Sequence, residues 1–204
     1  MSHPKHAAPD HAIHELIAAR WSPYGWIEKP VPHADVTAVF EAARWAPSSY
    51  NEQPWSWIVA AKDQDPDGFQ KLLGCLVEGN QAWAQTVPVL AIGVISTRFS
   101  RNDKPNKAAS HDLGLAAGNL CLEATARGIC AHQMIGILPD AAREAFSIPE
   151  GHEAFTALAL GYAADPATLP EETAKRDTAP RTRKPLSELL HSPAGWGTPS
   201  PLAG

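Results

Sequence analysis

The stretch "APSSYNEQPWSWIVAA", residues 46–61, joins a cluster of small polar residues to a segment with the composition of a β-strand. Residues 55–61 are rich in tryptophan, isoleucine and valine, which favour a pleated, half-buried backbone. Before them, serine, asparagine and glutamine side chains stand between two prolines, where their hydroxyl and amide groups can bind a ligand or hold a turn. The stretch therefore predicts a strand that begins beside many neutral hydrogen-bonding groups.

Helical and strand patterns alternate on both sides of this stretch. Apolar residues at helical spacing predict helices over 13–20, 36–43, 69–76 and 110–127, and Pro139 begins another short one. Apolar runs predict buried strands over 87–96 and 155–162, and residues 131–136 read as a short strand. Interleaved helices and strands indicate a layered fold of the mixed α/β or α+β kind.

The longest predicted helix, residues 110–127, has a distinctive composition. Ser110 is its expected N-cap, and Gly128 stands just beyond its end. Small residues near its middle, including Gly114 and Gly118, permit very close packing. Such a helix is expected to be buried, either inside one protomer or against a second copy of it.

Composition and charge restrict the class of protein. The chain has 204 residues, 44% of them hydrophobic, which predicts one domain over 1–204 with a polar arm at 1–11 and an extended segment at 163–204. A net charge of −5 gives no reason to expect nucleic acid as a partner. We expect no membrane span, because no apolar run approaches about 20 residues. Three cysteines without a CxxC pair, and no signal sequence, suggest the cytoplasm.

Familiar catalytic and metal-binding motifs are missing from the sequence. It has no GxGxxG after a strand, no GxxxxGK[ST], no HExxH and no GxSxG. Residues 110–112 are Ser-His-Asp, but consecutive side chains on a helix diverge by about 100° and cannot form a relay. The histidines at 3–14 fit a solvated arm better than a metal site, and Cys121 and Cys130 fit buried apolar positions. We therefore predict no metal site, and we assign none of these residues a catalytic role.

Three remaining clusters suit the parts of a nucleotide-like cofactor. Residues 20–22, "RWS", and 181–186, "RTRKPL", bring guanidinium groups that can bind a phosphate. Residues 46–55 bring hydroxyls and amides that suit a heterocycle or a polyol. A ligand with a phosphate, a hydroxylated linker and a flat ring would use all three clusters.

These blocks, in this order, resemble the FMN-dependent nitroreductase family. Residues 20–22 resemble its Arg-x-Ser after the first helix, and residues 47–55 match its PSSxNxQPW. "GNQAWAQTVPVLAIG" resembles the segment whose asparagine approaches the flavin, and "DLGLAAGNLCLEATARGI" resembles the long helix at the dimer core. "HQMIG" resembles the turn whose backbone faces the flavin, and "RTRKPL" resembles the C-terminal phosphate clamp.

The resemblance implies an α+β sandwich with a central mixed sheet flanked by helices. It further implies an intertwined homodimer with two FMN molecules at the subunit interface. The cofactor-binding residues that it implies are Arg20, Trp21, Ser22, Pro47, Ser48, Ser49, Asn51, Asn80, Gln133, Met134, Ile135, Gly136, Arg181 and Arg183. The arginines and Ser22 would hold the phosphate and the ribityl chain. Asn80 and the backbone of residues 133–136 would meet the pyrimidine and N5 side of the flavin, and residues 47–51 would come from the other subunit.

The activity implied is that of an NAD(P)H oxidoreductase. NADH or NADPH would reduce the flavin, leave, and be replaced by a nitroaromatic, a quinone or a similar acceptor, in a ping-pong cycle of hydride transfer. A backbone N–H at Ile135 or Gly136 would tune the flavin N5, so no side-chain acid is required. Two alternatives remain: a flavin-binding carrier or sensor without turnover, and a module that binds nucleic acid through the cations at 175–184.

Two residues depart from the family's pattern. The family usually has a cation two positions after the serine, near the flavin N1 and C2 oxygen, where this chain has Tyr24. Some members have a second lysine where this chain has Trp83. A missing cation beside developing negative charge is expected to lower the flavin potential. A short segment at 97–110 predicts a small lid and an open pocket. Tyr50, Phe99 and Trp83 are candidates to line this pocket, and ordinary packing is the alternative for each.

Overall fold

The computed structural model describes residues 3–203, which alternate between helices and strands. Residues 1 and 2 of the predicted polar arm lie outside the described part. In chain order the elements are α1 (Glu15–Ala19), β1 (Trp26–Ile27), α2 (His33–Arg44), β2 (Trp55–Ala61), α3 (Pro66–Leu73), α4 (Glu78–Ala84), β3 (Val89–Ser96), α5 (Ala109–Ala126), β4 (Cys130–Met134), α6 (Pro139–Phe146), β5 (His152–Ala163) and α7 (Glu171–Thr178). This arrangement confirms the predicted α+β class.

Five strands form the sheet, and β5 is its longest. The order is β1-β5-β3-β2, and β4 also pairs with β5, so β4 and β1 follow one another along one side of β5. All the described pairings are antiparallel, so the sheet is not mixed as predicted. Ala61 at the end of β2 lies opposite Val89 at the start of β3, so the intervening helices return the chain to the same end of the sheet. Alternation of helices and strands along the sequence does not reveal that return.

The core has two main layers, one on each face of the sheet. Every residue of β3 from Val89 to Ile95 is buried, as the apolar run predicted for a strand covered on both faces. Phe69 and Leu72 of α3 pack in one layer with Leu90 and Ile92. The other layer contains Val39 and Ala43 of α2 and Ala116 and Leu120 of α5, together with Val89, Ala91, Leu158 and Leu160 of the sheet.

Some element boundaries differ from those predicted. Helix α5 begins one residue earlier, with Ala108 as its N-cap, so Ser110 is exposed within the first turn and not the cap. Strand β1 and helices α4 and α7 were not predicted, and α7 occupies part of the segment at 163–204 that was expected to be extended. The one buried residue of α7 is Asp177, so no apolar periodicity in the sequence indicates this helix. Within residues 3–203, no helix is long and apolar enough to cross a membrane.

Candidate cofactor site

Arg181 connects the C-terminal segment to the end of α1. Its guanidinium donates hydrogen bonds to the carbonyl oxygens of Arg20 and Ala18. Arg20 in turn donates through Nη1 to Ser22 Oγ at 3.3 Å, and Ser22 Oγ donates to the Ala131 oxygen at 3.2 Å. Three residues predicted from distant parts of the sequence therefore meet beside the start of β4.

Positive charge is concentrated at this point without a matching carboxylate. Burial and the nearby Arg20 and Arg183 guanidiniums hold the pKa of Arg181 below its usual range. Within residues 3–203 no carboxylate forms an ion pair with these three arginines. Arg181 Nε is buried and has no hydrogen-bond partner in the described part of the chain. A partly buried cation with an unused donor suits a phosphate, because charge-assisted hydrogen bonds would offset its desolvation.

The turn after β4 approaches Asn80 closely. Asn80 Nδ2 donates to the Gly136 oxygen at 2.9 Å, and the Val77 N–H donates to the same oxygen at 3.1 Å. A Cβ on Gly136 would stand 2.6 Å from Asn80 Nδ2, so only glycine fits here without moving that side chain. Ile135 is 74% exposed. The predicted flavin-facing turn is thus held firmly and presents its tip to solvent.

A cavity of about 380 Å³ lies between this turn and α5. Its walls include Gln133, Met134 and Ile135 from the end of β4 and the adjoining turn. Gly114 and Ala117 of α5 form the facing wall, where small residues leave room for a flat group. Gln133 Nε2 also donates to Cys121 Sγ at 3.3 Å, and burial raises the pKa of that thiol. Cys121 is buried, as predicted, and its thiol is disfavoured as a nucleophile.

The loop at 48–53 has an unusual backbone. Tyr50, Asn51 and Gln53 have φ values of 57°, 55° and 50°, in the left-handed region that non-glycine residues rarely adopt. Each such residue costs about 1–3 kcal/mol and persists only where its surroundings enforce it. Ser48 Oγ accepts the Gln53 N–H at 2.9 Å. Asp112 Oδ2 accepts the Ser49 N–H at 3.1 Å. Strained loops held in this way are characteristic of ligand sites.

The predicted residues fall into two groups along α5. The loop with Ser48, Ser49 and Asn51 is attached at Asp112 in the first turn of α5. The side chain of Gln133 contacts Cys121, nine residues further along, which corresponds to about 14 Å of helix. Pro47 and Asn51 are exposed, and Trp21 stacks on His3 of the N-terminal arm with ring centroids 4.5 Å apart. One protomer therefore presents the two groups at different points along its long helix.

The two departures from the family's pattern are in contact with each other. Tyr24 meets Trp83 edge to face with ring centroids 5.5 Å apart, and Trp83 stacks on His132 at 4.5 Å. His132 Nδ1 lies 2.8 Å from the Pro23 oxygen, and burial holds the pKa of His132 below its usual range. Sequence reasoning missed His132, because nothing in the sequence indicates that it stacks between two distant aromatic residues. Trp83 packs in this cluster, whereas Tyr50 and Phe99 contact each other, and the pocket-lining role of the three residues stays a prediction.

Helix α7 holds the turn that carries Tyr24. The Asp177 carboxylate, 1% exposed, accepts the Tyr24 N–H at 2.9 Å and the Gly25 N–H at 2.8 Å. The Arg176 guanidinium lies over the Tyr24 ring, 5.1 Å from its centroid. Sequence reasoning missed both Arg176 and Asp177, because the composition of this proline-rich, charged segment is typical of solvent-exposed chain without regular structure.

Fold and site together define an α+β protein with an arginine cluster at the start of β4 and a glycine turn just after its end. The sequence profile of the Nitroreductase family matches residues 17–162. The chain therefore belongs to the nitroreductase family, which confirms the resemblance drawn from its motifs.

Individual relatives agree with this membership. An uncharacterized 15.4 kDa protein of Mycolicibacterium smegmatis is 33% identical over 138 residues, covering 67% of this chain and 90% of that protein. A Streptomyces coelicolor protein, whose name suggests an NADH dehydrogenase/NAD(P)H nitroreductase, is 25% identical over 185 residues, covering 81% of this chain and 90% of its own. A crystal structure described as an oxidoreductase containing FMN superposes with a TM-score of 0.84 at 31% identity, covering 91% of this chain and 93% of the other.

Proposed function

We propose that the protein is an FMN-dependent NAD(P)H oxidoreductase that passes hydride to nitroaromatics, quinones or similar acceptors in a ping-pong cycle. The observation that carries this proposal is the unpaired arginine cluster, with the unpartnered Nε of Arg181. The relatives whose names and descriptions mention FMN or NAD(P)H support it. Three free cysteines in the described residues suit a reducing cytoplasm, where we expect the enzyme to act.

The chain's part in the reaction is to bind and orient the cofactor. Arg181 and Arg20, with Ser22 and Arg183, would hold the phosphate and ribityl chain. The backbone of residues 133–136 and Asn80 would border the ring, and Trp21, between Arg20 and Ser22 in sequence, would contact the cofactor near its phosphate end. When bound, FMN supplies the hydride-transfer chemistry, so the protein needs no side-chain nucleophile.

The aromatic cluster changes the electrostatics of the proposed ring site. Tyr24 and Trp83 are uncharged, and the lowered pKa of His132 favours its neutral form. Arg176, a cation that contacts this cluster, lies over the Tyr24 ring and is exposed. We expect a flavin potential below that of relatives with a cation at these positions, since about 30 mV of a two-electron couple corresponds to about 1.4 kcal/mol.

A homodimer would complete the site. On α5, a Cβ added at Gly114 or Gly118 would meet nothing within 4 Å, and Leu115 is 36% exposed. These residues form a shallow face on the long helix, which suits close packing against a second copy. The partner would then bring its own residues 47–51, including Ser48, Ser49 and Asn51, to the half-site built by Arg20 and Arg181.

A spectrum and an anaerobic titration test this proposal. The purified protein should absorb like a flavoprotein, release FMN on heating, and bleach when NADH or NADPH is added without oxygen. Addition of a quinone or a nitroaromatic should restore the oxidised spectrum. A protein that holds FMN but is bleached by neither nucleotide is instead the carrier or sensor. A colourless protein that refuses added FMN contradicts the proposal altogether.

A further inference from the structure

Two aromatic rings and a guanidinium form a platform beside the strained loop. Tyr50 and Phe99 meet edge to face with ring centroids 6.0 Å apart. The Arg101 guanidinium lies 3.8 Å from the Tyr50 ring centroid and 5.3 Å from that of Phe99. We call these three residues the aromatic–arginine platform. Phe99 and Arg101 belong to the connection between β3 and α5, whereas Tyr50 belongs to the loop before β2.

The platform is held in place from both sides. Ser100 lies between Phe99 and Arg101, and its N–H donates to Glu52 Oε1 at 2.6 Å. This hydrogen bond ties the connection to the strained loop. Within the connection, the Phe99 N–H donates to the Lys104 oxygen at 2.9 Å. Tyr50 itself adopts the left-handed conformation with a φ of 57° and remains 73% exposed. A costly conformation that projects an aromatic ring into solvent is difficult to explain by packing alone.

The charge of the platform is not neutralised. Arg98, on the same connection, pairs with Asp103 at 3.4 Å. Arg101 forms no ion pair with any carboxylate among residues 3–203. Two carboxylates are nevertheless close: Asp103 is two residues away in sequence, and Glu52 accepts the N–H of the neighbouring Ser100. Lys104 and Lys107 add further positive charge to the connection. A guanidinium that stacks on a ring keeps the N–H groups at its edge free to bind a carboxylate or a phosphate.

We propose that the aromatic–arginine platform binds the anionic group of a planar ligand, whose ring packs against Tyr50 or Phe99. Two ligands of the proposed reaction have this chemistry: an aromatic acceptor with a carboxylate, and NADPH, whose 2′-phosphate adjoins adenine. The inference rests on the proposed function for its choice of ligands. It also assigns a role to Arg101, which the cofactor site does not use.

Equilibrium titration without turnover tests the platform. The oxidised protein, with its bound cofactor, is titrated calorimetrically with 4-nitrobenzoate and with its uncharged counterpart 4-nitrobenzamide. A second arm compares NADP⁺ with NAD⁺. In one of the two pairs we expect the member with the additional anionic group to bind more tightly. Arg101→Gln should weaken the binding of that member roughly fivefold and leave the binding of the other member unchanged. The pair that responds identifies the source of the anion.

Lys104→Gln is the matched control, since it removes one positive charge from the same connection without touching either ring. The platform is overturned if neither pair shows a preference for the anion. It is also overturned if the Lys104 and Arg101 substitutions weaken binding equally. Long-range electrostatic attraction to the positively charged connection would then explain the preference for the anionic ligand. Bound FMN that neither NADH nor NADPH reduces would contradict the proposed function and leave this titration, which needs no electron transfer, to be judged separately.

Discussion

At the level of single residues, Arg181 shows how a charge can be partly buried without a counter-charge among residues 3–203. Its two terminal nitrogens bind backbone carbonyls, which fixes the side chain but leaves its charge uncompensated. The charge of such a residue is poorly stabilised in the protein without its cofactor. A bound anion stabilises it, because the anion supplies both an opposite charge and a hydrogen-bond acceptor. Cofactor binding and the stability of this corner of the fold should therefore be coupled.

Replacement of Arg181 by glutamine should weaken FMN binding by about 10- to 100-fold, since a hydrogen bond to a charged group contributes about 1.5–3 kcal/mol. Quenching of flavin fluorescence during titration of the apoprotein measures this affinity. Lys175→Gln, which removes an exposed charge of α7, is the control and should leave the affinity unchanged within about twofold. Equal affinity in the Arg181 variant would disprove the phosphate role of this residue.

His132 predicts a pH dependence of stability. Burial lowers its pKa in the folded protein, so the unfolded chain binds the proton more readily. Stability is therefore retained above the unfolded pKa of about 6.5 and falls as the pH drops below it, by at most about 1.4 kcal/mol per pH unit for this group. His132→Phe should show a shallower fall between pH 7 and pH 5 in urea unfolding. An unchanged slope would mean that His132 protonates as easily in the folded state.

At the level of secondary-structure elements, α7 is stabilised by one buried carboxylate and not by an apolar face. Asp177 accepts N–H groups from Tyr24 and Gly25, more than 150 residues away in the chain. Without this contact, the short polar helix would have little reason to dock, since isolated helices of this length are unstable in water. The position of Tyr24 and the order of α7 should thus depend on each other.

Asp177→Asn should lower the free energy of unfolding by about 1–3 kcal/mol, because an amide leaves one buried backbone donor poorly paired. Urea denaturation followed by circular dichroism measures the change. Glu172→Gln, at an exposed position of the same helix, should change stability by no more than about 0.5 kcal/mol. If both substitutions cost the same small amount, the buried carboxylate does not anchor α7.

At the level of the whole molecule, the proposed site is divided between the two ends of α5. The loop at 48–53 is attached near Asp112, and the arginine cluster lies towards the other end, near Cys121. The exposed face around Gly114, Leu115 and Gly118 lies between these two points. A second copy packed on that face would bring its own loop to the arginine cluster, so dimerisation and cofactor binding should be lost together.

Leu115→Glu should weaken both dimerisation and FMN binding, because it places a charge in the proposed interface. Sedimentation equilibrium gives the mass, and flavin titration gives the affinity. Ile27→Glu places the same charge at an exposed apolar position of β1 and should alter neither. A Leu115 variant that remains dimeric with full FMN affinity would show that α5 does not form the interface.

Most of the architecture was predictable from local patterns. β2 has the predicted bounds, and α2, α5, β3 and β5 were located within a few residues, because apolar spacing reports burial directly. Strand direction was not predictable, since it depends on where helices return the chain. The family motifs also placed Arg20, Ser22 and Arg181 in one site, and the structure brings these three together.

The sequence by itself determined most of the helices and strands through their periodicity, and its short motifs determined the family, with the α+β class and the candidate cofactor residues that the family implies. Only the tertiary structure decided which residues from distant segments meet: Tyr24 with Trp83, Asp177 with Gly25, and Arg101 with Tyr50. The physical reason is that stacking, buried hydrogen bonds and cation–π contacts act over a few ångströms in space and leave no regular spacing along the chain.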